Sequence, residues 1–394
     1  MGLKSFMGDA GKGRSLGVIC LIYTMVILIA GLWPFNFIPA NKVEWIKNEN
    51  GIRFNSPGIV YSREPLSIQE DLSKNAACSI ELLLRPHGGK DYMSILAFSD
   101  RNQEQFMFGQ FKKEFYIRVP LNVGAFDNKK RYREIGINNT LQENTTHLIT
   151  VASNKESTAI YVDGNLKKSF PNFSFIPVDH GLSGYLILGN SPEGNETWDG
   201  ALFGLAIYDR TLNNKEVLDR YHEWHMETKG NDMLREDALH PLSTGKLVSR
   251  SNPSRPSPIA LYLFDEHSGT TIQDHSGLRN DLLIPTIFHP LRRTILEIPT
   301  RGQWFTRSNI TDVLVNILGF VPFGFFLIAR LRQTDIFSAP LAYGIAILLG
   351  FCLSIAIELA QIYIPTRDSS LLDVVSNTLG TMTGVVLFVA ARLR

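Results

Sequence analysis

TDVLVNILGFVPFGFFLIARLR (residues 311–332) and GFCLSIAIELAQIYIPTRDSSLLDVVSNTLGTMTG (350–384) decide the fold of this chain. Both alternate charge-free apolar runs with short polar clusters. Residues 313–329 lie between Asp312 and Arg330, residues 337–357 hold no charge, and residues 374–391 lie between Asp373 and Arg392. A helix needs roughly 20 apolar residues to cross ~30 Å of hydrocarbon. The spacing predicts three membrane helices, at about 313–330, 338–363 and 372–391, within a bundle covering 312–394.

Arg330, Arg332, Arg392 and Arg394 on the cytoplasmic side satisfy the positive-inside rule. Asp312, Asn316, Glu358, Gln361, Arg367, Asp368, Asp373 and Asn377 then fall at the outer helix ends or in the outer loop. Asp312 and Asn316 are four apart, as are Ser354 and Glu358, and Asp373 and Asn377, so each pair shares a helix face. An acid inside a membrane helix costs roughly 2.5–3.5 kcal/mol on insertion scales and needs a partner. Arg367 is the nearest in sequence to Glu358. Glu358, Arg367 and Asp373 are therefore candidate catalytic residues, as acid/base and anion clamp. Asp312, Asn316, Ser354, Gln361, Asp368 and Asn377 are candidate binding residues around them. A structural reading stands beside this one. Asp312 can cap its helix, Ser370 with Asp373 forms a capping-box pattern, and Gly380 and Gly384 permit close helix packing. Glu358 fits capping less well, because the helix macrodipole disfavours an acid near the carboxyl end.

The chain has 394 residues and a net charge of +1, which gives no reason to expect nucleic acid. Its mean hydropathy of −0.01 averages apolar runs with a polar middle. Residues 1–15 carry Lys4, Lys12 and Arg14, and residues 16–33 hold no charge and end near Trp33-Pro34-Phe35. That run exceeds a signal-peptide core and lacks a small-x-small exit, so it predicts an uncleaved first helix at 16–35. Four helices with both termini cytoplasmic follow, in a bacterial cytoplasmic membrane with the middle region outside it.

That middle region shows short alternating runs, among them 51–61, 78–85, 92–98, 105–111, 114–119, 147–152, 158–162, 185–188 and 201–208. Turn residues such as Asp163-Gly164-Asn165 separate them. The rhythm predicts an antiparallel all-β jelly-roll sandwich over 41–230. Of the three cysteines, only Cys78 belongs to it, so it has no internal disulfide. Asn190, Trp198 and Asp199 are candidates to line a carbohydrate or calcium site near the loop ends, and Trp198 is equally placed for the core. No Cys/His spacing suggests a metal, and there is no GxSxG, HExxH or phosphate loop.

Two resemblances follow from these residues. Asp312, Asn316, Pro322 and Gly324, then Ser354, Glu358 and Gln361, then Arg367, Asp368 and Asp373, then Asn377 and Gly380 resemble the VanZ-like membrane proteins. The resemblance implies a multi-pass bundle and an association with teicoplanin resistance. THLITVASNKESTAIYVDGNLKKS (146–169) and WDGALFGLAIYDRTLNNKEVLDRYHEW (198–224) resemble the central hairpin, closing strand and short helix of the concanavalin A-like, LamG-type sandwich. That resemblance implies carbohydrate binding in many members.

A Pro/Ser linker at 231–258 follows, and then IALYLFDEHSGTTIQDHSGLRNDLLIP (259–285) resembles the first strand and turn of a LamG-type domain. Residues 259–288 are read as a permuted strand of the sandwich lying beside the Gly51 strand, or as the remnant of a second domain or an independent hairpin. Residues 289–311 form a juxtamembrane segment whose Arg292, Arg293, Arg301 and Arg307 are read as facing anionic lipid headgroups, a phosphorylated lipid carrier or solvent. Two function classes survive. One is an envelope protein that binds cell-surface glycan or a glycosylated ligand. The other is a membrane enzyme acting on a lipid-linked or lipid-anchored substrate at the outer leaflet.

Overall fold

The computed structural model describes residues 10–68, 76–89, 91–100, 104–121, 132–176, 182–233, 257–293, 295–297, 307–334, 336–365, 367 and 369–393. Side chains are described from Ser15 in the first helix, to Trp224 in the second and from Ile310 in the third. Asp368, Arg301, the side chain of Arg307 and linker residues 234–256 lie outside the described residues. The chain forms two compact units. One comprises Pro39–Gly124 with Lys130–Arg292, the other Met1–Ile38, Ala125–Lys129 and Arg293–Arg394.

The first unit is a sandwich of two antiparallel sheets. One sheet contains β1 (Val43–Trp45), β2 (Ile52–Phe54), β5 (Ala77–Pro86), β10 (His147–Asn154), β11 (Ser157–Val162), β12 (Asn165–Pro171), β14 (Gly200–Tyr208) and β15 (Ala260–Tyr262). The other contains β3 (Val60–Ser62), β4 (Leu66–Ser67), β6 (Tyr92–Ser99), β7 (Glu104–Phe111), β8 (Glu114–Pro120), β9 (Tyr132–Ile137), β13 (Ser183–Leu188), β16 (Thr271–Ile272) and β17 (Leu282–Leu283). The first sheet runs β1-β2-β14-β5-β10-β11-β12, and the second β16-β17-β3-β13-β6-β7-β8-β9.

Alternation explains which faces meet. Cys78, Ile80, Leu82 and Leu84 of β5 point into the core between the sheets, with Phe106, Phe108, Phe115 and Ile149. Leu83 points the other way, into a second core with Tyr208, Val217 and Trp224. That core exists because α2 (Asn214–Met233) lies over the first sheet. Its start is a capping box, in which Asn213 Oδ1 accepts the Glu216 N–H at 3.1 Å and Glu216 Oε2 accepts the Asn213 N–H at 2.9 Å. The β11–β12 turn places Asp163 and Gly164 at φ 52° and 77°, the left-handed pair that a two-residue hairpin of type I′ requires.

Residues 259–284 supply strands to both sheets. β15 pairs with β14 through Leu205↔Tyr262 and Ile207↔Ala260. β2 pairs with the same strand at Gly200–Leu202, and the Gly51 N–H reaches Phe264 O at 2.8 Å, so β2 and β15 lie end to end. β17 pairs with β3. The sandwich unit thus runs to Arg292 and takes in the strands of residues 259–284.

The second unit contains α1 (Ala10–Leu32), α3 (Arg307–Gln333), α4 (Ala339–Gln361) and α5 (Leu371–Leu393). Each is long and apolar enough to cross a membrane. α1 ends before Trp33-Pro34, since a residue preceding proline disfavours the helical region. α3 outruns its charge-free stretch because Asp312, Arg330 and Arg332 sit at its ends, where long side chains extend to the interface. Pro322 lies inside it. α3 and α5 touch backbone to backbone. A Cβ on Gly324 would lie 2.2 Å from Thr381 O, and one on Gly384 2.1 Å from Val321 O.

Candidate functional site

The bundle gathers most of the polar residues singled out in its sequence. Ser354, Glu358, Gln361 and Asn377 are buried, Asn316 is half-buried, and Asp312 and Arg367 are exposed. Asn377 Nδ2 donates to Ser354 Oγ at 2.9 Å, joining α5 to α4. The Asn316 side chain donates to the Asp373 carboxylate, joining α3 to α5, and Asp312 is the like charge beside Asp373. Asp373 and Arg367 act electrostatically on Glu358.

Much of this network caps helices. Glu358 Oε2 accepts the N–H of Ser370 at 2.8 Å, just before α5 begins. Ser370 Oγ in turn accepts the Leu372 N–H at 3.2 Å. α1 ends in carbonyls that its own helix cannot pair. Arg367 takes two of them, Trp33 O at 3.2 Å and Ala30 O at 3.1 Å, and Gln361 Nε2 takes Gly31 O at 2.9 Å. A guanidinium at a helix carboxyl end also meets the negative pole of the macrodipole. Arg367 is thus engaged with the backbone carbonyls of α1 while remaining exposed. The loop into α5 is held again from 289–311, where the Glu297 N–H donates to Ser369 O at 2.8 Å and the Leu371 N–H to Glu297 O at 3.1 Å. Gln361 Oε1 and Asn377 Oδ1 are buried with no hydrogen-bond partner among the described residues.

In the sandwich, the residues singled out near the loop ends divide. Trp198 is fully buried, with its Nε1 donating to Gln110 Oε1 at 2.7 Å and its ring packed against Gly200, where a Cβ would lie 2.2 Å away. Asn190 is also fully buried, donating to Gly58 O and Thr197 Oγ1 and accepting from Ser191 and Glu196 N–H groups. Neither reaches a surface. Asp199 is exposed.

A different group of residues forms an aromatic surface. Cross-strand register puts Tyr92 opposite Phe111, Met107 opposite Arg118, and Arg118 opposite Glu134 on one face of the second sheet. The Arg118 guanidinium lies 5.4, 5.2 and 5.1 Å from the ring centres of Tyr92, Tyr116 and Tyr132. It pairs with Glu196 at 3.1 Å and with Glu134 at 3.5 Å. Tyr92 stacks on Phe111 and meets Tyr116 edge-on. Tyr116 crosses the space over Gly109, where a Cβ would fall 2.2 Å from its ring. Tyr92 and Tyr132 remain 46% and 39% exposed, so the group opens outward. Burial and the neighbouring Glu196 charge push the Glu104 carboxyl up to about 7. The sequence offered no signal for this surface beyond the alternation of β8, because its members come from five separate segments.

The family models match in two places. VanZ/LLP1 matches residues 259–392, and the concanavalin A-like lectin/glucanases superfamily matches residues 64–218. Among curated protein sequences, none matches the chain. Solved structures similar to the chain include a heptameric SAP-like pentraxin from Limulus polyphemus, at 13% identity and a TM-score of 0.32, covering 46% of this chain and 79% of that one. The receptor binding domain of botulinum neurotoxin D gives 13% identity and a TM-score of 0.35, covering 48% and 47%. The CBM40 of a Ruminococcus gnavus IT-sialidase, bound to α2,3-sialyllactose, gives 11% identity and a TM-score of 0.35, covering 44% and 97%. The chain spans less than half the length of the toxin domain. Likeness at these values does not bear on ligand or activity.

Proposed function

Because the chain joins a VanZ/LLP1 segment to a concanavalin A-like sandwich, we propose that it is a membrane-anchored glycan-binding protein of the bacterial envelope. In this reading the four helices span the cytoplasmic membrane with both termini in the cytoplasm, and the sandwich meets cell-surface glycan or a glycosylated ligand outside. Arg330 and Arg392 in the last turns of α3 and α5 support that orientation.

The observation that carries the reading is the Arg118 surface. Tyrosine rings offer flat apolar faces to the C–H side of a pyranose and hydroxyls at their rims. The carboxylates of Glu134 and Glu196 accept from sugar hydroxyls, while the guanidinium donates to them. With Arg118 flanked by two carboxylates, the surface suits a neutral saccharide better than an acidic one.

The test is a glycan array and a peptidoglycan pull-down with the full-length protein in lipid nanodiscs, with and without calcium. Saturable binding that falls at least tenfold in Tyr92→Ala and Tyr132→Ala, with unchanged melting, supports the reading. Absence of binding by folded protein overturns it.

The alternative, an enzyme acting on a lipid-linked substrate through Glu358, Arg367 and Asp373, has less support, since Glu358, Gln361 and Arg367 are engaged in capping helices. A link to glycopeptide resistance or envelope polysaccharide is tested by teicoplanin susceptibility of a strain lacking the protein.

A further inference from the structure

Asp265, Glu266 and His275 come together where the chain passes from one sheet to the other. The two acids follow β15 of the first sheet, and His275 follows β16 of the second. One ligand atom from each lies within 4.8 Å of the other two. His275 Nε2 is 3.3 Å from Asp265 Oδ1. Glu266 Oε1 accepts the Gln273 N–H, and Glu266 Oε2 is buried with no hydrogen-bond partner among the described residues. Native proteins seldom leave such an oxygen alone, and an ion is one of the things that satisfies it.

The surrounding turn is held in place independently of these three side chains. Trp45 Nε1 donates to Gly269 O at 2.9 Å, the His275 N–H to Leu261 O at 2.8 Å, and the Gly51 N–H to Phe264 O at 2.8 Å. The neighbouring Asp274 is engaged elsewhere. Its Oδ1 accepts from Leu261 and Ser276 N–H groups, and its Oδ2 from the Ser276 hydroxyl and the Asn280 N–H. Asp265, Glu266 and His275 therefore remain as a set of donors on a fixed frame.

We propose that these three side chains bind one divalent transition-metal ion, Zn²⁺ or Mn²⁺, which staples the two sheets where residues 259–284 cross between them. One imidazole with two carboxylates suits ions of this softness, whereas calcium takes oxygen ligands almost throughout. Bonds of about 2.0–2.2 Å draw the ligand atoms closer than their present spacing, and rotation of the half-buried acidic side chains supplies the difference. The remaining coordination positions take water. The site is separate from the Arg118 surface and does not depend on glycan binding.

The sequence carried a signal for this triad, the pair Asp265-Glu266 followed nine residues after Glu266 by His275 across a Gly269 turn. It was not legible as metal spacing because the turn that closes it is fixed by Trp45 and Gly51, more than two hundred residues away.

The experiment uses full-length protein in detergent, stripped with chelator and titrated with ZnCl₂, MnCl₂ and CaCl₂ by calorimetry, with melting temperature read in parallel. One equivalent of Zn²⁺ or Mn²⁺ is expected to bind saturably and to raise the melting temperature by several degrees once in large excess over its dissociation constant. Glu266→Gln and His275→Gln are each expected to weaken binding at least tenfold, while His222→Gln, on the exposed side of α2, leaves it unchanged. Glu266→Gln keeps a carbonyl oxygen for the Gln273 N–H, so it serves as the folded variant where His275→Gln does not fold. Absence of saturable binding, binding that persists in Glu266→Gln, or calcium binding tighter than either transition metal overturns the proposal.

Discussion

Glu358, near the carboxyl end of α4, accepts the backbone N–H of Ser370 at the amino end of α5. An acid is unfavourable at the end where it resides and favourable at the end it reaches, so the bond relieves one helix pole with the other. Glu358→Gln keeps an acceptor oxygen and is expected to lose little stability. Glu358→Ala leaves the Ser370 N–H without that acceptor, at a cost of about 1–3 kcal/mol. Denaturation in mixed micelles reads the difference, and equal stability of the two variants contradicts the capping role.

Arg367 gives a second test of the bundle. Its guanidinium takes the Ala30 and Trp33 carbonyls, so Arg367→Met releases the end of α1 without touching its apolar face. Amide exchange at residues 30–33 is expected to speed up at least tenfold, while exchange in the middle of α3 stays as it was. Uniform acceleration throughout the bundle points instead to a global role.

The four membrane helices were legible because charge-free runs of sufficient length have few other uses, and the sandwich because turn residues punctuate alternating strands. The roles of the polar bundle residues were less so. Arg367 acts on the charge of Glu358, as sequence proximity suggests, while its hydrogen bonds go to α1, more than three hundred residues earlier, which spacing along the chain does not show. Trp198 looked equally fit for a sugar platform or the core, and the space left by Gly200 decided for the core. Arg118 and its tyrosines are not legible in the sequence, since register between strands, which local sequence specifies weakly, is what assembles them.

A buried ion pair beneath α2 gives a third test. Glu81 is fully buried, and its Oε2 receives Arg220 Nε at 3.2 Å, Trp224 Nε1 at 3.0 Å and the Tyr208 hydroxyl at 2.9 Å. Arg220→Met removes the cation and leaves the carboxylate in an apolar layer, which costs about 3–5 kcal/mol. Adding Glu81→Gln is expected to recover part of that loss, a coupling that a double-mutant cycle on thermal unfolding measures. Additive losses rule out the pair as a unit.

The last test is a pH dependence centred on Glu104. Its carboxyl is buried and held at about 7, against 4.5 for the free group, chiefly by burial and then by Glu196. Its Oε1 has no hydrogen-bond partner among the described residues. The folded state therefore keeps this proton while the unfolded chain has already released it, so the unfolded state binds fewer protons between pH 4.5 and about 7 and stability falls as pH rises through that window. At about 1.36 kcal/mol per pH unit, the full penalty is on the order of 3 kcal/mol, complete above pH 7 and absent below pH 4.5. Glu104→Gln has no proton to lose. It is expected to gain on the wild type from pH 5 to about pH 7 and to level off above that when unfolding free energies of the two proteins are compared. A difference that stays constant over that range contradicts a neutral, buried Glu104, and one that shrinks reverses the sign of the linkage.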